Sequence, residues 1–357
     1  MFRRRRSSGA TIKARWRMLA VELEATVLGL LVLVQQSAEL RCNHPLHEAV
    51  ENISPSGGSF IGLVMAYPGE EAVLQASGLF LPNSDFPFVE LAGRRFNIGT
   101  IRGVDVIYVM TGEKTVNAGV TVQILLDLFD VVGVVHYGIA GSTNDSLLVG
   151  DVSVPNYVAF TSSWNWKEFR SKEGQQPEIR FGAYNFPWKG ENLLAKVEFR
   201  PVQLFSNGRQ MEELFWLPID PYWFNISTRL QELDLQQCLN ETHCLPNAPK
   251  VAYGLKASTA DVFLDNGAYS SFLFKEFNIS TADEESAAVV MVALSNGVPC
   301  VVFRGVSDVA GVDGTLSLAG GLSTLAAINA LRVAVEFIEL INSEITNSST
   351  VLYQYAS

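Results

Sequence analysis

Positive charge is scarce in this sequence. Of 357 residues, 26 are basic and 37 acidic, and the formal net charge is −11. Seven of the basic residues (Arg3, Arg4, Arg5, Arg6, Lys13, Arg15 and Arg17) crowd the extreme N-terminus, and beyond residue 38 only 19 basic residues face 35 acidic ones. Such a surface offers no basic face to phosphates, which argues against nucleic acid as a partner. Cysteine is also sparse, with four residues, so no disulfide scaffold is encoded. Cys42, His44 and His47 lie close together, but their spacing matches no structural zinc pattern. There is no Walker A loop, no G-x-G-x-x-G and no internal repeat. Neither a metal nor a bound cofactor is expected.

What is present is apolar. Hydrophobic residues make up 48% of the chain and charged ones 18%, enough to bury a sizeable core. Residues 1–38 read as a signal peptide: a basic stretch to Arg17, the apolar run ATVLGLLVLV at 25–34, then the small and polar QQSA. Ten apolar residues are too few to span a bilayer comfortably, so no membrane association is expected after processing. Glu22 and Glu24 interrupt the approach, which keeps a signal anchor or an organelle transit peptide open as alternatives. Residues 39–57, ending in SPSGG, look like a linker. N-x-S/T sequons at Asn52, Asn144, Asn225, Asn240, Asn278 and Asn347 fit a glycoprotein of the secretory pathway, extracellular or vacuolar. Cys238 and Cys244 bracket the polar loop LNETH and could pair in an oxidising compartment. Cys300, in VPCVVF, reads as a buried small hydrophobe.

From residue 58 to 345 apolar runs alternate with helical patterns. FIGLVMAY (60–67), DVIYVMTG (105–112), VVGVVHYG (131–138) and GDVSVPNYVAF (150–160) read as strands, several of them buried on both faces. PGEEAVLQASG, VNAGVTVQILLDLF (116–129), EESAAVVMVALSNG (284–297) and LAAINALRVAVEFIELI (325–341) read as helices. This alternation predicts a single α/β domain with a largely parallel central sheet, followed by a tail at 346–357. Residues 161–250 break the rhythm with five of the six tryptophans. They read as an insertion at the sheet edge or over a pocket.

In open α/β sheets ligands gather beyond the carboxyl ends of strands, and three strand ends here carry unusual residues. Glu70 and Glu71 follow MAYPG. Gly138, Ile139, Ala140, Gly141 and Ser142 follow VVHY, where glycines let backbone amides approach a ligand. Ser307 and Asp308 end VPCVVFRGVSD, and Glu285 opens the helix that feeds that strand. Singly these are helix caps and a tight turn. Together they could assemble a site.

The pieces GLVMAYPGEEAVL (62–74), TGEKTVNAG (111–119), VVHYGIAGS (134–142) with VGDVSVP (149–155), STADVFL (258–264), ADEESAAVV (282–290) and VPCVVFRGVSDVAG (298–311) resemble, in order, the nucleoside phosphorylase superfamily. Within it they resemble the methylthioadenosine/S-adenosylhomocysteine nucleosidases, and more closely the plant bark and vegetative storage proteins. The resemblance implies a three-layer α/β/α sandwich with a mixed, largely parallel central sheet and a small-molecule purine nucleoside as partner, and leaves a homo-oligomer open. It casts Asp308 as the general acid to the purine and Glu70 as the group that activates water, with Glu71 as fallback. Glu285 would bind the ribose hydroxyls, Phe263 would stack on the base, and Glu284, Gly138, Ile139 and Ser307 would line the substrate. Three departures stand out. Ile139 replaces a serine of the GSAGG turn, Glu284 replaces the methionine of an M-E pair, and TGEKT replaces the T-G-I-G-K turn. AYPGEEAV offers acids where phosphate would need cations, so phosphorolysis is not expected. Two expectations remain: a purine nucleoside N-ribohydrolase, or a storage protein with a vestigial nucleosidase site.

Overall fold

A computed structural model describes residues 59–167, 172, 174, 175, 177–180, 196–311 and 321–356. The expected signal peptide, the linker and Asn52 lie outside the described residues, and so does the side chain of Asn347. Six strands and two helices open the described chain: β1 (Phe60–Met65), α1 (Pro68–Ser77), β2 (Phe80–Pro82), β3 (Phe88–Leu91), β4 (Arg94–Ile101), β5 (Val104–Met110), α2 (Thr115–Leu128) and β6 (Val131–Ser142). The middle comprises β7 (Val152–Phe160), β8 (Trp164–Lys167), β9 (Glu178–Arg180), β10 (Lys196–Phe199), β11 (Val202–Leu204), β12 (Glu212–Leu214), β13 (Leu217–Pro218), α3 (Pro221–Ser227), β14 (Cys238–Asn240) and β15 (His243–Cys244). Then come β16 (Val251–Thr259), α4 (Gly267–Phe277), β17 (Ile279–Asp283), α5 (Ser286–Asn296), β18 (Cys300–Val309) and α6 (Leu322–Ala356).

The apolar runs form a mixed central sheet of order β13-β7-β16-β17-β6-β1-β5-β4-β2, with β18 on β6 and β7 and β3 on β4. The pairs β1/β5, β1/β6, β6/β18, β7/β16 and β16/β17 are parallel, and the β4 hairpin and the β6/β17 contact are antiparallel. All six residues of β1 are buried, as are the first eight of β18, which is why neither shows polar alternation. Helices cover both sides, α2 packing with α5, and α6 with α1 and α3. This is the expected three-layer sandwich.

Two boundaries differ from the sequence reading. The final helix runs well past residue 341, and β6 does not stop at a glycine turn. It continues through Gly138-Ile139-Ala140-Gly141-Ser142, because β18 pairs with it up to Ser142 and β17 pairs with Gly141 and Ser142. The carboxyl ends of three strands therefore meet. The Trp-rich stretch adds β13 at the sheet edge beside β7 and a separate sheet of β8, β10 and β9. Val197 and Phe199 of β10 pack on Leu273, Phe277 and Ile279, with Leu264 at the margin.

Candidate active site

Ser307 and Asp308 owe their placement to a break in register. In β18 Val306 lies opposite Ala140 and Asp308 opposite Gly141, so Ser307 is an extra residue in the ladder. Such a bulge re-aims the next side chain. Asp308 turns toward Gly141, where a Cβ would stand 2.9 Å from its Oδ1. The Ser307 hydroxyl donates to Asp308 Oδ2 at 2.7 Å. Burial pushes the Asp308 carboxyl above its usual range; the Ser307 hydrogen bond opposes this, and the Asp265 charge adds to it. That is the shift a proton donor needs.

Four residues earlier the same strand buries Arg304, 1% exposed, among three carboxylates. Its Nε lies 3.0 Å from Ser286 Oγ and 3.2 Å from Asp283 Oδ2. Nη2 donates to His136 Nε2 at 2.6 Å and to Glu285 Oε2 at 3.2 Å. Nη1 donates to the Ile139 carbonyl at 3.2 Å and lies 3.9 Å from Glu70 Oε1. His136 sets its Nδ1 3.0 Å from the Val64 carbonyl, which places the proton there and leaves Nε2 as acceptor. Burial and then the Arg304 charge hold that imidazole neutral, its pKa lowered to about 3.

The carboxylates differ in state. Burial pushes Asp283 up, but Arg304 and the hydrogen bonds from Ser286 and Thr259 outweigh it and hold the group below its usual range. Asp283 Oδ1 also accepts the amides of Glu285 and Ser286, so Asp283 closes the start of α5 and Glu285 does not. Freed from capping, Glu285 accepts the Lys114 amide at 3.1 Å, and burial carries its pKa to about 7 against the pull of Arg304. Glu70 does cap: its Oε2 takes the amides of Ala66 and Tyr67, both at 2.9 Å. Its Oε1 reaches across to the Ile139 amide at 2.8 Å. Burial raises its pKa too, partly offset by Arg304. Gly138 is required here, since a Cβ would fall 2.3 Å from Arg304 Nη1 and 2.4 Å from Glu70 Oε1.

Glu70, Glu285, Asp308, Glu284, Ile139, Ser307 and Phe263 line one cavity of about 310 Å3. Glu71 is not on its wall, whereas Gly138 lies directly behind it, against Glu70. Phe263 is 61% exposed on the loop after β16, and Asp261 of that loop accepts the Thr115 amide at 2.8 Å, tying it to the start of α2. No described residue of 161–250 lines the cavity. Sequence reading passed over Arg304, His136, Asp283 and Lys114. The first two carried a signal: a cation and an imidazole inside apolar runs must be paired if those runs are buried. Away from the cavity, Asn225, Asn240 and Asn278 are exposed, while Asn144 is half-buried and its Nδ2 donates to Ser280. Cys238 and Cys244 are joined by a disulfide, and Cys300 is a buried free thiol.

Residues 60–339 match the family model of the phosphorylase superfamily. Bark storage protein A of Populus deltoides is 42% identical over 309 residues, which cover 86% of this chain and 97% of that protein. A 5'-methylthioadenosine/S-adenosylhomocysteine nucleosidase of Geobacillus sp. (strain WCH70) is 26% identical over 237 residues, 66% of this chain and 82% of the relative. The crystal structure of such a nucleosidase from Colwellia psychrerythraea 34H, in complex with adenine, shares the fold. Its TM-score is 0.57 at 22% identity, covering 79% of this chain and 95% of that one.

Proposed function

We propose, for a chain that belongs to the phosphorylase superfamily, that the cavity binds a purine nucleoside and hydrolyses its N-glycosidic bond. One observation carries this reading: three carboxyl groups, Asp308, Glu285 and Glu70, face one cavity, and burial raises the pKa of each. Breaking the bond sends electrons into the base and leaves an oxocarbenium-like sugar. Asp308, held toward its protonated form, donates a proton to the purine. Glu285 accepts hydrogen bonds from the ribose hydroxyls when ionised. Glu70 takes a proton from water as the water oxygen bonds to the anomeric carbon. The base leaves protonated, and the proton on Glu70 returns to solvent as Asp308 is recharged. Phe263, on the cavity wall, supplies an apolar face for the base.

Six carboxylates are on the lining, and its one described amine, Lys114, is already paired with Glu284. This favours water over phosphate as the nucleophile. Among the described residues no helix is long and apolar enough to cross a membrane. The sequons and the N-terminal segment support a route through the secretory pathway, to the vacuole or the cell exterior.

A second reading, a storage protein that keeps the pocket without turnover, is favoured by the 42% identity to a bark storage protein and by Ile139. A coupled adenine-release assay with methylthioadenosine and adenosine, run beside calorimetric binding, separates the two. Hydrolysis predicts release by the wild type and its loss in Asp308→Asn with binding retained. Binding without release by the wild type supports storage, and neither binding nor release refutes both uses of the cavity.

A further inference from the structure

Two of the departures from the nucleosidase pattern meet in space. Lys114 of TGEKT and Glu284 of DEES form an ion pair on the cavity wall. Glu284 is the neighbour of Glu285, and the Lys114 amide donates to Glu285 Oε1, so the pair sits on the side assigned above to the sugar. The Lys114 side chain is 40% exposed and that of Glu284 16%. Glu113 lines the same stretch of wall.

The backbone holds Lys114 there against its preference. Its φ of 83° and ψ of 156° fall in a region that is essentially reserved for glycine. The T-G-I-G-K turn has a glycine at this point of the pattern, so the turn keeps a glycine-like conformation while carrying a lysine. Strain of this kind persists only where surrounding contacts enforce it, and the contacts here are to Glu284 and Glu285.

An ion pair that faces a cavity offers one donor and one acceptor with no net charge. A sugar hydroxyl can satisfy either. A thioether donates nothing and accepts only weakly, and seating one against the pair strips water from both charges with little to replace it. A phosphate gains nothing from an ammonium already neutralised and meets Glu113 and Glu285 nearby.

We propose that Lys114 and Glu284 are a specificity-determining pair that selects nucleosides with a free 5'-hydroxyl over 5'-thioether nucleosides. This rests on the nucleoside reading of the cavity. Sites built to hydrogen-bond a hydroxyl discriminate strongly against analogues that lack it.

The test is calorimetric binding of adenosine and methylthioadenosine, which differ only at the 5' position, to the full chain at pH 7. Wild type is expected to favour adenosine by about tenfold or more. The double variant Lys114→Gly/Glu284→Met relieves the backbone strain and removes both charges, and it is expected to lose or reverse that preference. Glu284→Gln, which keeps the side-chain shape, should reduce the preference by about threefold or more and guards against a misfolded double variant. Equal affinities in wild type, or a preference unchanged in both variants, overturns the inference while leaving nucleoside binding intact. Failure of wild type to bind either nucleoside overturns the nucleoside reading, and this inference with it.

Discussion

Replacing Arg304 by methionine tests the electrostatic centre of the site. Methionine fills much of the stem volume but removes the one cation among Asp283, Glu285 and Glu70, which lie 3.2, 3.2 and 3.9 Å from the guanidinium. It also strips partners from His136 Nε2, Ser286 Oγ and the Ile139 carbonyl. Breaking a buried ion pair by deleting one member costs about 3–5 kcal/mol. Relief of the guanidinium's own desolvation and proton uptake by the carboxylates keep the sum near that range. The pH dependence is more telling. In the wild type Arg304 keeps Asp283 below its usual pKa. Without it, burial carries the folded-state pKa above the unfolded one, so the native variant binds an extra proton and gains stability as pH falls. Each pH unit is worth about 1.4 kcal/mol per such group. The deficit measured by urea unfolding should therefore shrink by about 1–3 kcal/mol between pH 7 and pH 5. A deficit under about 1 kcal/mol at pH 7, or one that widens at pH 5, refutes the network as described.

The remaining expectations concern the ligand and the surface. Glu285 must be ionised to accept sugar hydroxyls, and its pKa is raised to about 7. Nucleoside affinity should therefore rise about tenfold from pH 6 to pH 8 in calorimetric titrations. Gly141→Ala places a Cβ 2.9 Å from Asp308 Oδ1 and 3.2 Å from Ala310 Cβ. Displacing the acid by a fraction of an ångström should lower adenine release by about a hundredfold, with little change in urea midpoint. Glycopeptide mapping of the protein expressed through a secretory pathway should find glycans among the exposed Asn225, Asn240 and Asn278. Asn144, whose Nδ2 is engaged by Ser280, should be bare.

Strands and helices were legible because each is a local pattern. VVGVVHYG and VPCVVF have no polar alternation, so they had to be interior strands, and EESAAVVMVALSNG closes on Gly297 in the left-handed conformation that a glycine stop implies. The partnerships of charges are not local. Arg304 and His136 could be flagged as groups needing partners, but pairing them with each other depends on β6 and β18 lying side by side. The bulge at Ser307 is equally silent in sequence, since it is a count of residues against a partner strand. The backbone of Ile139 is a third case: its amide serves Glu70 and its carbonyl serves Arg304. Both contacts are indifferent to the side chain.

That distinction bears on whether the site is a relic. Burial that moves Glu285 from 4.5 to about 7 corresponds to about 3 kcal/mol against the ionised form, present above pH 7 and relieved as the group protonates. The conformation of Lys114 adds strain of about 1–3 kcal/mol. Replacing buried ionic clusters by apolar residues is often neutral or stabilising by about 1–4 kcal/mol. A fold needed only as a store of amino acids would be more stable without Arg304, its carboxylates and the strained lysine. Each of these groups instead faces the cavity or holds one that does, and Gly138 and Gly141 keep the space between them clear. The same geometry that weakens the fold gathers three carboxyl groups, Asp308, Glu285 and Glu70, around one volume. The balance of energies therefore favours a site maintained for a ligand, whatever else the protein supplies when it is degraded.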